Sequence, residues 1–481
     1  MCVSDDDQEF PPELSEGDNF IAGPPPDDPE PVSEEEEAAI AAQARRELQV
    51  VEAALNERWP ETKLEPSLTR ISTLVNLLGD PHTSYPVLHV AGTNGKSSTS
   101  RMIEALMTQM SLRVGRYTSP HLQLVTERIS IDGQPISPER YVDTYRDVAP
   151  FVQMVDQAGG PDAPPMSKFE VLTGMAFAAF ADAPVEVAVL EAGMGGAWDA
   201  TNVADGQVAV ITPIGIDHAE YLGGDRATIA KEKAGIIKPG SVVVLAEQEP
   251  DAERVLLERA VEVDATVARA GSEFAVLERT MAVGGQMLRI QGLGGIYEEV
   301  FLPLHGKHQA DNAALALAAV EAFFGAGKER QLVQDSVRAA FAEIVTPGRL
   351  ERVRAAPAVL IDAAHNPHGA AALAAVVGVL GEKDARGILE ALEPVVAEIV
   401  VTTNSSPRAL PAEELAELAV DVFGEERVTV EPRLDTAIEI AVSLVEQPDD
   451  PEEPLAGGGV LVTGSVVTAG EARTLFGKEP A

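Results

Sequence analysis

Apolar positions along the chain follow two periods. Ile40, Ala44, Leu48, Val51 and Leu55 recur every three to four residues across 38–58 and predict one face of an amphipathic helix. Residues 68–78 carry the same spacing and stop at Gly79-Asp80-Pro81. Short runs rich in apolar residues at 87–90, 114–117, 185–190, 208–214 and 242–245 read as strands, and 169–180 and 229–237 as helices. Strands alternating with helices predict an α/β fold around a mainly parallel sheet. From about 252 to 304 the texture changes to short alternating runs broken by glycine, which predict antiparallel strands. Residues 312–324 form an Ala- and Leu-rich helical stretch. Pro347-Gly348-Arg349 is the candidate hinge, and beyond it strands at 359–361, 399–402 and 460–462 predict a second α/β unit. The expected division is a tail over 1–37, a larger domain over 38–346 and a smaller one over 347–481.

The break after the 87–90 run carries the most chemistry. Gly92-Thr93-Asn94-Gly95-Lys96-Ser97 has little side-chain bulk and runs into a helical stretch. Strand, glycine loop and helix is the context in which backbone N–H groups and a helix N-terminus cradle phosphate. Lys96 would reach the outer phosphates and Ser97 a metal-bound one. The usual pattern, G-x-x-x-x-G-K-[ST], would need a further glycine where Val90 stands, so an ordinary turn is the competing reading. The nucleotide implied is ATP.

Composition narrows the class. One cysteine, Cys2, excludes internal disulfides and a Cys-rich metal site. No apolar run approaches the ~20 residues of a membrane span, and Met1–Asp7 shows no signal-peptide pattern, so a cytoplasmic protein without a membrane partner is expected. The net charge of −41 argues against nucleic acid, whose phosphates need clustered Lys and Arg. Residues 1–37 hold fourteen acidic residues and no basic one, a composition expected to stay disordered.

Further motifs accompany the loop: Y-T-S-P-H-L with Glu127-Arg128, L-E-A-G-M-G-G-x-x-D-A-T-N from Leu190, D-H-x-x-x-L-G from Asp217, E-K-A-G-I from Glu232, and then H-Q-x-D-N, P-G-R-L-E and D-A-A-H-N-P. Together they resemble folylpolyglutamate synthase, which in many bacteria doubles as dihydrofolate synthase, within the Mur-type ligases. The resemblance runs from about Ala38 to Phe476. It implies a P-loop type, mainly parallel sheet domain like the Mur-ligase central domain, followed by a smaller C-terminal Rossmann-like α/β domain. It implies ATP, folate or dihydropteroate and L-glutamate as substrates, two Mg²⁺ ions, and a monomer.

The resemblance also assigns roles. Thr93, Asn94, Gly95, Lys96, Ser97, Asn312, Arg349 and Asp362 would bind ATP. Ser119, Glu191, His218 and Lys233 would hold metal, Lys233 as a carbamate. Lys96, His218, Lys233 and His365 would serve catalysis, His365 by handling the incoming glutamate. Glu65, Pro66, Ser67, Ser167, Lys168, Phe169, Glu170, Trp198, Asp199 and Ala200 would line the pteroate site. Plain alternatives stand beside these. Glu191 and Ser119 could cap turns, His218 could be a satisfied structural histidine, Lys233 a surface lysine, Asn312 a helix cap, and Phe169 helix core. Arg408 is a weaker match.

Two departures stand out. Ala197 occupies the place of the family's arginine in G-G-R-x-D-A-T-N, and only 369–382 separates Pro367 from Lys383-Asp384, short for a crossover helix and a strand. The expectation is a thinned C-terminal sheet, with 376–380 as its strand or with a strand missing. The competing functions are a muramyl-peptide ligase, whose N-terminal sugar-nucleotide domain has no counterpart here, and a nucleotide-binding protein with weakened catalysis.

Overall fold

The computed structural model describes residues 34–59, 66–160, 163–217, 219–325, 330–355, 357–363, 374–446 and 459–480. Glu65, His218, His365 and the tail up to residue 33 lie outside them. The first helix, Glu34–Asn56, starts inside the segment expected to be disordered.

Eight strands form the large sheet: β1 (Val87–Ala91), β2 (Val114–Tyr117), β3 (Ile129–Ile131), β4 (Gln134–Pro135), β5 (Val187–Glu191), β6 (Val208–Ile211), β7 (Val242–Leu245) and β8 (Thr266–Arg269). Their order is β4-β3-β2-β5-β1-β6-β7-β8. All pairs from β2 to β8 in that order are parallel, and β3 and β4 add an antiparallel edge. β1, β5 and β6 are buried along their whole length, as expected for parallel strands covered on both faces. The chain leaves β1 toward β2 on one side and later reaches β6 on the other. The C-terminal end of β1 is therefore a topological switch point, where open α/β sheets bind ligands.

The Lys96–Gln109 helix packs against the Ala-rich Lys307–Phe323 helix, and small side chains let the two approach closely. Glu104 of the first helix is buried, accepting from Arg116 Nε at 2.5 Å and Ser130 Oγ at 2.6 Å, which ties this helix to β2 and β3. Antiparallel strands do occur in the region read as such, over Ala275–Ala282, Gly285–Gln291 and Ile296–Leu302. The region starts later than expected. Pro250–Glu262 is a helix, with Pro250 in its first turn and Ala252, Leu256 and Ala260 on its buried face, and β8 after it joins the large sheet. The Ala-rich helix begins five residues before Asn312, so Asn312 lies in its second turn and cannot cap it.

The smaller sheet has six strands in the order Glu351–Ala355, Ala358–Ile361, Gly459–Thr463, Ala374–Val377, Glu398–Val401 and Val428–Val430. The expectation of a thinned sheet is corrected: the strand after the short segment is present, parallel to both its neighbours and two residues earlier than 376–380. Its Ala-Ala-Val-Val sequence is buried throughout, and small residues suit a strand covered on both faces.

The loop after β2 packs against Gly348 and the last helix of the C-terminal unit. Gly348 has φ +63°, and a Cβ there would stand 3.1 Å from Leu122 Cδ2. Gly470, in the Val466–Leu475 helix, lies so close to the Leu122 carbonyl that an added Cβ would fall 2.0 Å from its oxygen. Gln123 beside it donates to Thr474 Oγ1 and the Lys478 carbonyl and accepts from Arg473. Gly470→Ala should therefore destabilise the fold by about 1–3 kcal/mol through overpacking. Gly224→Ala, at an exposed site with nothing within 4 Å, should melt like the unsubstituted protein in the same calorimetric scan.

Candidate active site

The loop after β1 is shaped by two glycines. Gly92 has φ +148°, and a Cβ there would lie 1.9 Å from Thr212 Oγ1. Gly95 has φ +89°, and its Cβ would lie 2.6 Å from Asn312 Oδ1. These positions exclude side chains both by conformation and by space. The residue missed at Val90 is a buried strand residue, so the loop's first turn is made at Gly92 instead.

The loop is braced by the segment after β6. Thr93 N and Asn94 N both donate to the Pro213 carbonyl, at 3.0 and 3.3 Å. Thr93 Oγ1 donates to the Gly215 carbonyl and accepts from Gly215 N, both at 3.0 Å. Two of the amides expected to cradle phosphate are thus turned to protein. Gln248 in turn holds this segment, accepting from Ile214 N and donating to the Thr212 carbonyl.

Both lysines singled out by sequence meet at the same place. Lys96 Nζ donates to the carbonyls of Gly92 (3.1 Å) and Thr93 (3.2 Å), and Lys233 Nζ donates to Gly92 O at 2.7 Å. Lys233 is buried, 5% exposed, which removes the surface-lysine alternative. Burial first, and then the charge of Lys96, push Lys233 down to about 7. Lys96 is lowered too, chiefly by burial, with Glu191 opposing the shift.

Glu191 ends β5 and is 1% exposed. Its Oε1 accepts from Ser97 Oγ at 3.0 Å, while Oε2 is buried with no partner. Burial raises its carboxyl, against the pull of Lys96. An orphaned, buried carboxylate oxygen beside a serine hydroxyl is a hard-oxygen donor set and fits a divalent cation such as Mg²⁺. An ammonium at Lys233 does not fit a metal; a carbamate there would. Among the described residues no group of three or more His, Cys, Asp and Glu side chains is assembled for a metal.

A cavity of about 1040 Å³ opens over the loop. Of the residues assigned from sequence, Pro66, Ser67, Thr93, Asn94, Gly95, Lys96, Ser97, Ser119, Ser167, Phe169, Glu170, Glu191, Trp198, Asp199, Ala200, Asn312, Arg349 and Asp362 line it. Lys233 lies just behind it, under Gly92. Lys168 does not line it; its Nζ donates to Asn56 Oδ1 at 2.7 Å. Glu170 and Asp199 are engaged in local structure. Glu170 completes a capping box with Ser167 and pairs with Arg70 at 3.0 Å, and Asp199 accepts from Met194 N and from Thr201 N and Oγ1. Phe169 packs near Tyr117, ring centroids 6.0 Å apart, and a Cβ at Gly193 would strike its ring at 2.5 Å.

Sequence reasoning missed several residues that share this cavity: Arg70, His121, Asp217, Lys383 and Glu382. His121 accepts from Arg128 Nε at 3.0 Å through Nδ1, and burial pushes its ring down to about 3. Lys383 pairs with Asp217 at 3.1 Å, and Glu382 with Arg408 at 2.7 Å. Asp217 and His121 were within motifs, but nothing local marks them out. Pairing by residues far apart in sequence is visible only once the chain has folded.

Fold and site define a Mur-type ATP-dependent ligase. The Mur ligase middle domain matches residues 160–320, and the Mur ligase glutamate ligase domain matches 348–466. The chain belongs to the dihydrofolate synthase/folylpolyglutamate synthase family. It is 58% identical over 457 residues to the dihydrofolate synthase/folylpolyglutamate synthase of Mycobacterium tuberculosis, covering 89% of this chain and 94% of that protein. The Bacillus subtilis protein of the same description is 33% identical, covering 73% and 84%. Among solved structures, Mycobacterium tuberculosis folylpolyglutamate synthase complexed with ADP and AMPPCP superposes with a TM-score of 0.85 at 56% identity, over 91% of this chain and all of that one. Escherichia coli FolC in complex with DHPP and ADP superposes with a TM-score of 0.75 at 28% identity, over 89% and 97%.

Gly92→Ala would drive a methyl group into Thr212 and displace the carbonyl that both lysines share. It should weaken ADP binding by at least about tenfold in a calorimetric titration, a loss of positioning rather than of charge, while the circular dichroism spectrum stays unchanged.

Proposed function

We propose that this chain joins L-glutamate to folates at the expense of ATP and adds glutamate to dihydropteroate at the same site. The observation that carries this reading is the single cavity in which the phosphate loop, the buried Glu191 and the Phe169 and Trp198 wall face the C-terminal unit's Arg349, Asp362 and Lys383. One enclosure of this kind would bring the nucleotide, the carboxylate to be activated and the C-terminal unit together.

A carboxylate is a poor electrophile. The γ-phosphoryl group passes from ATP to the carboxylate oxygen of the folate, breaking its bond to the β-phosphate and releasing ADP. The glutamate amine then attacks the acyl phosphate carbon, loses a proton, and inorganic phosphate leaves. Phosphoryl transfer needs positioning and charge neutralisation above all. Gly95 to Ser97 sit at the helix start, where amides favour anions, and Lys96 supplies a cation already within the loop. Thr93, Asn94, Asn312, Arg349 and Asp362 complete the nucleotide's surroundings. Phe169 and Trp198 offer ring faces to a pterin, with Pro66, Ser67, Ser167 and Ala200 around them. His365 is assigned to the incoming glutamate on the D-A-A-H-N-P motif.

Ser119, Glu191, His218 and Lys233 would hold two Mg²⁺ ions. Bound there, the metal supplies neutralising charge to the transferring phosphoryl group. Lys233 joins this set as a carbamate. Its amine attacks carbon dioxide, an N–C bond forms and protons leave, turning a cation into an anion. Only the unprotonated amine reacts, and it predominates above pH of about 7, the value to which burial lowers this group. We further infer a cytoplasmic monomer, divided at 346/347, without nucleic-acid partners; a net charge of −41 supports the last point. Among the described residues no helix is long and apolar enough to cross a membrane.

Purified protein given ATP, Mg²⁺ and L-glutamate should release phosphate with tetrahydrofolate and with dihydropteroate, and not with a muramyl-peptide substrate. No turnover with either pteridine would sink the reading. Lys233→Ala should lose at least about a hundredfold in kcat and recover in part with added formate or acetate, as expected when a carboxylate group is what the reaction lacks. An active Lys233→Ala variant would rule out the carbamate.

A further inference from the structure

The C-terminal unit is held to the larger one very differently on its two sides. Beside the hinge, backbone meets backbone at Leu122 and Gly470, with Gln123 and Arg473 locked around them. That side cannot slide without a steric clash. On the far side of the cavity, an ion pair spans the gap: Lys383 Nζ donates to Asp217 Oδ1 at 3.1 Å, with the two side chains 17% and 23% exposed.

Both partners are firmly mounted. Lys383 N donates to the Leu380 carbonyl, Gly381 N to the Arg408 carbonyl, and Asp384 caps the Ala385–Leu392 helix through Gly387 N. Asp217 closes the segment after β6, in which Pro213 and Gly215 hold Thr93 and Asn94 of the phosphate loop. Asp217 also attracts the ammonium groups of Lys96 and Lys233. The position of the second unit is thereby tied, through one carboxylate, to the loop beneath the nucleotide.

We propose that Lys383 is a positioning residue for ligation: by pairing with Asp217 it holds the C-terminal unit closed over the phosphate loop, pivoting on Leu122 and Gly470. The pair joins the two units and lies within neither core, so it can open while each unit keeps its own packing. Its effect is on the fraction of molecules that are closed, and hence on turnover. The inference rests on the ligase reading above.

The test compares Lys383→Met, Lys383→Arg, Asp217→Asn and the Lys383→Met/Asp217→Asn double variant with the unsubstituted protein. Lys383→Met should lower kcat by at least about tenfold while the ADP dissociation constant stays within about threefold. Lys383→Arg should restore most of the rate. In the Asp217→Asn background, Lys383→Met should cost less than about threefold more, since its partner is already gone. Small-angle scattering should show a larger radius of gyration for Lys383→Met with ADP bound. Unchanged kcat in Lys383→Met, an undiminished tenfold loss in the Asp217→Asn background, or an equal loss of ADP affinity would each overturn the proposal. If the unsubstituted protein ligates no glutamate, the ligase reading fails instead, and the scattering comparison still decides whether the pair closes the molecule.

Discussion

Two lysines from distant parts of the chain share the carbonyl oxygen of Gly92, and the site is organised around that contact. Lys96 comes from the helix that follows the loop and Lys233 from the end of the helix after β6. Two ammonium groups brought to one oxygen repel each other strongly in a partly desolvated place. Both lysines are held below their ordinary values, Lys96 chiefly by burial and Lys233 by burial first and then by the charge of Lys96, which takes it to about 7. The cost of burying these cations is offset by nearby acids, Glu191 and Asp217 acting on Lys96, and Asp217, Asp199 and Glu232 acting on Lys233. A nucleotide would bring negative charge to this same spot. Lys96 is thus in place as the cation that would meet that charge.

This convergence depends on the absence of side chains. Thr212 occupies the space a residue larger than glycine would need at 92, and Asn312 the space it would need at 95. Asn312 stands in the Ala-rich helix that packs along the loop helix, so the tight helix pairing and the loop shape are one constraint. Gln309 from the same helix reaches Ser98, and Gln248 fixes the segment that carries Thr93 and Asn94. The phosphate loop is thus braced by Thr212, by the Ala-rich helix and by the segment after β6.

Much of this was legible in sequence and some was not, for identifiable reasons. β6 and β7 announce themselves because a buried parallel strand reads as an unbroken apolar run, β1 as a run interrupted only by His89, and the loop after β1 because glycine and lysine follow it at once. The Pro250–Glu262 helix was hidden by its surroundings: its apolar face is spaced by charged residues and the stretch after it is strand-like. The Ala374–Val377 strand was set two residues late because alanine reads as helix, although a strand buried on both faces accepts it readily. Asp217 and Lys383 lie 166 positions apart, and no local pattern relates them. Lys168 lies inside a motif, but its ammonium bonds to Asn56, a partner 112 positions away that no local pattern announces.

The alanine at 197 bears on how much of the family's geometry survives in this chain. The G-G-A-W-D-A-T-N segment is held by backbone and by neighbours, not by the side chain at 197. Ala197 N donates to the Glu232 carbonyl at 2.9 Å, Trp198 N to Glu232 Oε1 at 3.2 Å, and Asn202 Nδ2 to the carbonyls of Ala197 and Gly235. Gly235 lies against Ala197 so closely that a Cβ on it would fall 2.3 Å from Ala197 Cα. The E-K-A-G-I stretch bearing Lys233 and the segment bearing Trp198 and Asp199 are therefore one unit, stitched through Glu232, Asn202 and a glycine contact. The shape of this rim is therefore independent of the side chain at 197. The change falls on electrostatics, where Arg70, Lys383 and Arg408 already line the same cavity, rather than on the scaffold that positions Lys233.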